Sequence, residues 1–510
     1  MNKLLYFLFH RSVVVAVALL AQIAVLVLMV VKFSESFTQF YWICILISFL
    51  AALGIVSSRS DPAYKIVWLV LILPFPVFGG MIYLVFGGSR NPRWLRKAVQ
   101  SIDQKMVDAL KGDYKADTLV KVGENAAIQA RYLERRAHCP VYECSRTEYF
   151  SIGEDCYARM LAELKKAQRY IFLEYFIIQE GKMWNSILDI LKEKAKQGVD
   201  VRVMYDDMGC MFTLSKDYQQ KLEEQGIRCC AFNRFVPVMS LLLNNRDHRK
   251  ICVIDGRVAF TGGINLADEY INEKERYGHW KDSGLLVEGD AAWSMAVMFL
   301  SLWDYAQQQQ EDYGKFRPAK VPVQGASGYV LPYTESPLDD EAVAQTVYLN
   351  MISKAEKYIY ITTPYLILDT ATNTALCNAA KSGVDVRIIT PHIPDKKSVF
   401  QVTRAHYQPL LEAGVKIYEY TPGFIHAKNF VVDDQFATVG TVNMDFRSLF
   451  LHFENGVWMC KTDCIQDIKE DFLQTQKKSE KIGMRQNRRR NLNLLAQLHR
   501  SVLRLFAPLM

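Results

Sequence analysis

Three long apolar stretches open the chain, and the rest alternates short apolar runs with amphipathic ones. Residues 13–31 are interrupted by one polar residue, Gln22, and at about 1.5 Å per residue such a run covers roughly one hydrocarbon thickness. A second run, 40–56, follows a short polar link, which together with the length of the first argues against a cleaved leader. The third, 66–86, carries Pro74, Pro76, Gly79 and Gly80 and predicts a kinked or re-entrant hairpin. Arg11, Arg59, Lys65 and the group Arg90, Arg93, Arg96 and Lys97 flank these runs, whereas only Lys32, offset by Glu35, separates the first two. Two full crossings and a re-entrant third run place the basic flanks on one side. That predicts a multi-pass protein of the cell membrane with its main body in the cytoplasm.

Beyond the apolar stretches the chain repeats itself. AQRYIFLEYFII from Ala167 matches AEKYIYITTPYLI from Ala355, QGVDVRVM from Gln197 matches SGVDVRII from Ser382, and EEQGIRC from Glu223 matches LEAGVKI from Leu411. FTGGINLAD from Phe260 matches TVGTVNMD from Thr438, and the offsets stay between 178 and 188 residues. The copies are collinear, so the architecture follows from one unit. Within it, YIFLEYFII reads as a strand, MWNSILDILKEKAKQ as a helix and VDVRVMY as a strand, followed by another helix and two more strands. The class is α/β: two repeated halves whose equivalent loops face each other across one shared active site. The expected organisation is a membrane anchor over 1–90, a linker region over 91–145, a first repeat over 146–306, a Gln- and Pro-rich connector over 307–328, a second repeat over 329–480 and a basic amphipathic segment over 481–510.

Composition narrows the class. At 510 residues the chain exceeds one hydrophobic core. With 50% hydrophobic and 23% charged residues it is too apolar for disorder and too charged for a wholly embedded transporter. A net charge of +7 favours an anionic partner. The eleven cysteines form no C-x-x-C pair, and an odd count in apolar surroundings reads as buried reduced thiols.

The chemistry lies in DHRKICVIDGRVAFTGGIN and IHAKNFVVDDQFATVGTVN. These share His-x-Lys-x-x-x-x-Asp followed by Gly and Asn at fixed distances: His248, Lys250, Asp255, Gly262 and Asn265, then His426, Lys428, Asp433, Gly440 and Asn443. On a strand, residues i and i+2 share a face, so each imidazole stands beside an ammonium. The lysines can hold an anionic oxygen, and Asn265 and Asn443 add amide donors. Two facing sets suit a phosphate diester, with one His attacking phosphorus and the other protonating the departing alcohol. No metal or other cofactor is required by this chemistry, and no H-E-x-x-H, Asp-rich or Walker motif is present. Asp255 and Asp433 stand an odd step from the lysines and face the opposite side, so a structural role is at least as strong a reading as a catalytic one.

This double pattern resembles the phospholipase D superfamily. With the apolar N-terminal segments, WLVLILPFPVFGGMIYLVFG from Trp68, TTPYLI from Thr362 and the terminal RLFAPLM, the chain is similar to bacterial cardiolipin synthases. The resemblance implies transfer of a phosphatidyl group between two phosphatidylglycerol molecules, giving cardiolipin and glycerol through a phosphohistidine. It implies His248 as nucleophile and His426 as acid and base, the reverse being open by pseudo-symmetry, and counts Asp255 and Asp433 in its signature. It also implies Glu454, 28 residues beyond His426, as the carboxylate that orients the His426 ring. Position 276, at the same spacing in the first copy, is Arg, and Asp282 is the substitute. The implied partners are phosphatidylglycerol and anionic membrane lipid, with no nucleic acid expected. A hydrolase or membrane-bound nuclease on the same fold, and a non-catalytic membrane scaffold, are the rivals.

Other features have plainer readings. His10 and His499 lie in membrane-flanking basic stretches, His138, His392, His406 and His452 read as ordinary surface or core residues, His279 as a neighbour of Asp282 that could line the site, and Glu174 as a buried paired carboxylate with a site role as the alternative. The apolar loop FVPVMSLLLNN from Phe235 places Leu241, Leu242 and Leu243 ahead of His248, where they could dip into a bilayer. Near the C-terminus Leu492, Leu495, Leu498, Val502 and Leu505 recur at helical spacing among Arg488, Arg489, Arg490, Arg500 and Arg504, which suits a helix on an anionic leaflet. A helix docked on the protein is the alternative.

Overall fold

The computed structural model describes residues 37–58, 61–73, 104–111, 115–143, 145–234, 245–320, 323–339, 341–490 and 501–505, with Ala24, Val27, Leu28, Lys32 and Ala507 besides. Most of the first and third apolar runs, the basic cluster after the third, the loop holding Leu241 to Leu243, and Leu492, Leu495 and Leu498 lie outside these residues.

The second apolar run forms the helix Phe37–Ser57, which carries no charged side chain. Trp42, Ile43, Leu46, Phe49, Leu50, Leu53 and Val56 all project outward, at least half exposed. Asp61 caps the next helix, Pro62–Ile72, its carboxylate accepting from the Ala63 amide at 2.8 Å with Pro62 in the first turn. Ile55, Trp68 and Ile72 pack the two helices together. Among the described residues no helix is long and apolar enough to cross a membrane. The expected pair of crossings is therefore not seen among the described residues.

The first repeat builds β1 (Ser145–Phe150), β2 (Tyr170–Tyr175), β3 (Asp200–Asp206), β4 (Arg228–Phe232), β5 (Arg246–Asp247), β6 (Lys250–Ile254), β7 (Val258–Gly262), β8 (His279–Lys281) and β9 (Gly284–Gly289). Its sheet runs β1-β9-β7-β6-β2-β3-β4, with β2, β3 and β4 parallel and the rest antiparallel. The second repeat builds β10 (Tyr329–Glu335), β11 (Tyr358–Thr362), β12 (Asp385–Pro391), β13 (Lys416–Tyr420), β14 (Gly423–Ile425), β15 (Asn429–Val432), β16 (Phe436–Gly440), β17 (His452–Cys460) and β18 (Ser479–Ile482). Its sheet runs β10-β17-β16-β15-β11-β12-β13-β18, the same order with one extra edge strand.

Period-two alternation explains the layering. Along β2, Tyr170 and Phe172 face a central core shared by both halves, while Ile171, Leu173 and Tyr175 face an outer core with the helices Gly153–Leu164 and Lys182–Lys196. The central layer is the helix Ala291–Gln307, buried along nearly its whole length, joined by Ile465, Ile468 and Phe472 from the helix Cys464–Lys477. The outer face of the second sheet is covered by the helices Val343–Ser353, Thr370–Lys381 and Tyr407–Ala413. The result is helix, sheet, helix, sheet, helix, with the two sheets brought face to face.

Three segments depart from expectation. Much of the stretch read as a linker is packed: Ala116, Leu119, Ala126, Ala127, Ala130 and Leu133 belong to the outer core of the second half, and Tyr142 bridges to Val330. The connector contributes Tyr313 and Phe316 to the central core, where Phe316 meets Tyr170 and Phe172. At the C-terminus, Leu503 and Ala507 pack with Ile367, Val402, Phe446 and Ala63, so the described part of this segment is docked on the protein. All ten described cysteines are free and buried.

Candidate active site

Two short pairings between the halves create the site. β5 runs parallel to the start of β17, pairing Arg246 with His452 and Asp247 with Phe453, and the His248 amide donates to the Phe453 carbonyl at 2.9 Å. In the other half β8 runs parallel to β14, pairing Trp280 with Phe424 and Lys281 with Ile425, and the His426 amide donates to the Lys281 carbonyl at 2.7 Å. One step further along each ladder, a carboxylate meets an imidazole from the opposite half. His248 Nδ1 lies 2.9 Å from both oxygens of Glu454, and His426 Nδ1 lies 2.7 Å from Asp282 Oδ2. The pairing is crossed. Glu454 orients His248, not the His426 expected for it, and Asp282 orients His426, because each carboxylate follows a strand that the partner half extends.

Each contact holds the ring by Nδ1 and leaves Nε2 for chemistry. Glu454 is itself fixed by the hydroxyls of Thr441 and Ser448, the latter at 2.7 Å. Asp282 accepts from its neighbour's amide, Ser283 N, at 2.9 Å and from Trp280 Nε1 at 3.4 Å. The motif glycines allow this approach: a Cβ on Gly262, at φ +140°, would lie 2.3 Å from the Ser283 carbonyl, and one on Gly440 would lie 2.4 Å from that of Asn455. Thr441, Ser448 and Trp280 escaped the sequence reading and His452 was read as an ordinary residue, although Trp280 and His452 each stand two residues before an orienting carboxylate.

The histidines lie just ahead of β6 and β15, and the shared face with the lysines is kept. Lys250 Nζ donates to the His248 carbonyl at 2.7 Å, while Lys428 Nζ donates to the His426 carbonyl and sits 2.9 Å from its Nδ1. Arg249, between them, turns the other way onto Glu174 at 2.5 Å, so Glu174 is a buried paired carboxylate. Asp255 and Asp433 stand apart from the histidines, as their odd spacing implied. Asp255 accepts from the amides of Gln168, Arg169 and Tyr170, and Asp433 from those of Glu356, Lys357 and Tyr358. Both have φ near +55°, a conformation that a short acceptor side chain tolerates. Their grouping with the catalytic residues is corrected accordingly: they clasp the start of the neighbouring strand. Asn265 is also committed elsewhere, accepting from the Ile177 amide at 3.1 Å and donating to Tyr270 Oη at 2.7 Å. Asn443 is buried and its Oδ1 has no partner among the described residues.

Burial shapes the electrostatics. His248, Lys250, His426 and Lys428 are all less than one-tenth exposed. Burial, then Lys250, Lys428 and His426, hold His248 well below its ordinary value, so charges from both halves act on one ring. Burial and Lys428 take His426 to about 4 against the pull of Asp282. Burial lowers Lys428 to about 7, with Lys250 adding to it, and lowers Lys250 to about 8 against Glu454 and Asp282. Burial opposes the charge on Asp282, but His426, Lys428 and the Ser283 amide outweigh it and keep the carboxyl below its usual range. An incoming phosphate diester would oppose every downward shift on the bases and favour their protonated forms.

His248, His452 and Glu454 bring three potential ligand atoms within 4.8 Å of one another. Glu454 is already shared among His248, Thr441 and Ser448, and Arg246 and Arg447 lie alongside His452. With the carboxylate so engaged and the surroundings cationic, this is a poor setting for a divalent ion.

Known proteins resemble this chain. The family described as cardiolipin synthase, PLD-like domain, matches residues 160–283 and 348–476. The phospholipase D-nuclease N-terminal family matches residues 46–88. A cardiolipin synthase of Alkalihalophilus pseudofirmus is 34% identical over 89% of this chain and 90% of its own length, and one of Geobacillus kaustophilus is 35% identical over 90% and 91%. The chain belongs to the cardiolipin synthase family. An uncharacterized Streptococcus mutans protein is 44% identical over 90% of this chain and 99% of its own length. Among solved structures, the phosphatidylserine synthase of Haemophilus influenzae superposes with a TM-score of 0.57 at 15% identity, covering 75% of this chain and 97% of that one, a likeness of fold. As a member of the cardiolipin synthase family the chain stands among the phosphatidyltransferases of the phospholipase D superfamily.

Proposed function

We propose that the enzyme joins two phosphatidylglycerol molecules into cardiolipin and glycerol through a phosphohistidine on His248. The observation that carries this reading is the crossed pair of carboxylate-held histidines, each with its lysine, in one buried site. Nε2 of His248 attacks phosphorus, and the glycerol oxygen departs with a proton from Nε2 of His426. The phosphatidyl group now rides on His248. The headgroup hydroxyl of a second phosphatidylglycerol gives its proton to His426, its oxygen attacks phosphorus, and the bond to His248 breaks. Lys250 and Lys428 neutralise the phosphate oxygens as charge builds on them, with the Asn443 amide as a further donor. Environment favours this division of labour. Burial and the surrounding cations keep His248 unprotonated, the state a nucleophile needs; His426 is lowered too, to about 4, and Asp282 together with the negative charge of a bound phosphate diester pulls it back towards the protonated form that an acid needs.

The site belongs at a bilayer surface, anchored through the N-terminal apolar segments with the body on the cytoplasmic side, and its partner is anionic lipid. In support, the helix Phe37–Ser57 shows a continuous outward apolar face, and the flanking basic residues follow the positive-inside pattern. Purified protein incubated with labelled phosphatidylglycerol, beside a His248→Ala control, tests the reaction. Cardiolipin plus glycerol, absent in the control, is the expected result. Phosphatidic acid without cardiolipin would make water the acceptor and the enzyme a hydrolase.

A further inference from the structure

Among the described residues, His452 is the one buried histidine beside the site that the mechanism above leaves unused. Its ring centroid lies 5.6 Å from that of His248, its Nδ1 lies 3.8 Å from Glu454 Oε1, and neither ring nitrogen has a hydrogen-bond partner among the described residues. The residue is only 9% exposed, and a buried imidazole with both nitrogens idle is a cost that the fold would shed unless the group serves another stage of the cycle. Register identifies its counterpart. His452 pairs with Arg246, two residues before His248, and Trp280 pairs with Phe424, two residues before His426. Trp280 does for the other half what His452 is placed to do: its ring lies 5.5 Å from that of His426, and its indole N–H donates to the orienting carboxylate, Asp282, at 3.4 Å. An indole N–H is a permanent donor with no accepting lone pair. An imidazole carries a donor and an acceptor.

We propose that His452 is a positioning residue that acts through Glu454 to stabilise His248 in its charged, phosphorylated form, and so makes the two motif histidines unequal. This rests on the phosphohistidine route above. In the resting site Glu454 is shared among His248, Thr441 and Ser448. When Nε2 of His248 bonds to phosphorus the ring becomes cationic and its Nδ1–H presses on the carboxylate. Closing the 3.8 Å gap by about 1 Å would bring the His452 N–H within ordinary hydrogen-bond distance of Glu454 Oε1. That contact holds the carboxylate in place under the charged ring. No bond to His452 forms or breaks; its part is the orientation of Glu454.

The test compares His452→Phe, His452→Asn and His452→Trp in the full chain, each checked for thermal stability. Phenylalanine keeps the ring packing and removes the donor, so kcat falls about tenfold or more with KM within twofold. Asparagine restores an N–H and brings kcat back to within about fivefold of wild type. Tryptophan copies the other half, and labelled phospho-enzyme trapped from phosphatidylglycerol, confined to His248 in wild type, spreads to His426. Equal kcat for the Phe and Asn variants would overturn the proposal, as would label that stays on His248 in the Trp variant at wild-type yield. Wild-type label found on His426, or none on either histidine while cardiolipin still forms, would instead refute the phosphohistidine route assigned to His248. The Phe and Asn rates would still judge His452 on their own.

Discussion

The two half-sites match in backbone and differ in surroundings. Each histidine follows a short strand borrowed by the other half, donates its amide to that half and takes a carboxylate from it. Yet His426 is enclosed by the aromatic rings of Tyr270, Trp280 and Phe424, whereas His248 is faced by Phe176 and by the imidazole of His452. Its carboxylate differs too, since Glu454 touches Nδ1 with both oxygens and Asp282 with one. Duplication preserves what hydrogen-bond register dictates. Side chains around that register are free to diverge, and on the proposed route that divergence would let one ring attack while the other moves protons.

The largest expected effect breaks both halves alike. His248→Ala and His426→Ala should each lower transfer by about 10⁴-fold or more, measured as cardiolipin formed per folded enzyme; substantial turnover by either would show that the two are not partners. Smaller losses should sharpen the contrast. Glu454→Gln and Asp282→Asn should each cost about 10- to 100-fold, because an amide can donate to Nδ1 and stabilise the wrong tautomer. Glu454→Gln should cost the more, having two contacts to lose.

The lysines set the pH dependence. kcat/KM reports the free enzyme, and with Lys428 at about 7 and Lys250 at about 8 it should decline as pH rises through that interval and the ammonium charges are lost. Lys428→Arg should move this alkaline limb upward, since a guanidinium stays charged; an unmoved limb would assign it to another group. The same depression carries a stability signature. The folded chain binds the Lys428 proton less tightly than the unfolded chain does, so stability should rise with pH between about 7 and 10.5. Lys428→Met should reduce that rise to the part that Lys250 contributes, while abolishing transfer, as chemical denaturation at two pH values would show.

The smallest effect on turnover is expected at the signature aspartates. Asp255→Ala and Asp433→Ala each remove three amide contacts and should lower stability by about 1–3 kcal/mol. kcat per folded molecule should stay within a few fold, and a loss like that of the histidines would return them to the chemistry.

Much of this was legible from residue order alone. Period-two alternation in YIFLEYFII and VDVRVMY specifies strands, the collinear repeat specifies two like halves, and His-x-Lys spacing puts imidazole and ammonium on one face, all because these depend on neighbours a few residues apart. The odd step from Lys250 to Asp255 likewise foretold that the aspartate turns away. Which carboxylate serves which histidine was not legible. Glu454 stands 28 residues from His426 and 206 from His248, and sequence distance favours the wrong partner. Only the docking of β5 on β17 and of β8 on β14 decides the pairing, since hydrogen bonds across the two halves fix a register that neither half contains. The same docking decides that His452 lies beside His248 and that burial strips the lysines of part of their hold on their protons. Those are properties of desolvation and of contacts between distant segments, and they exist only once both halves have closed on each other.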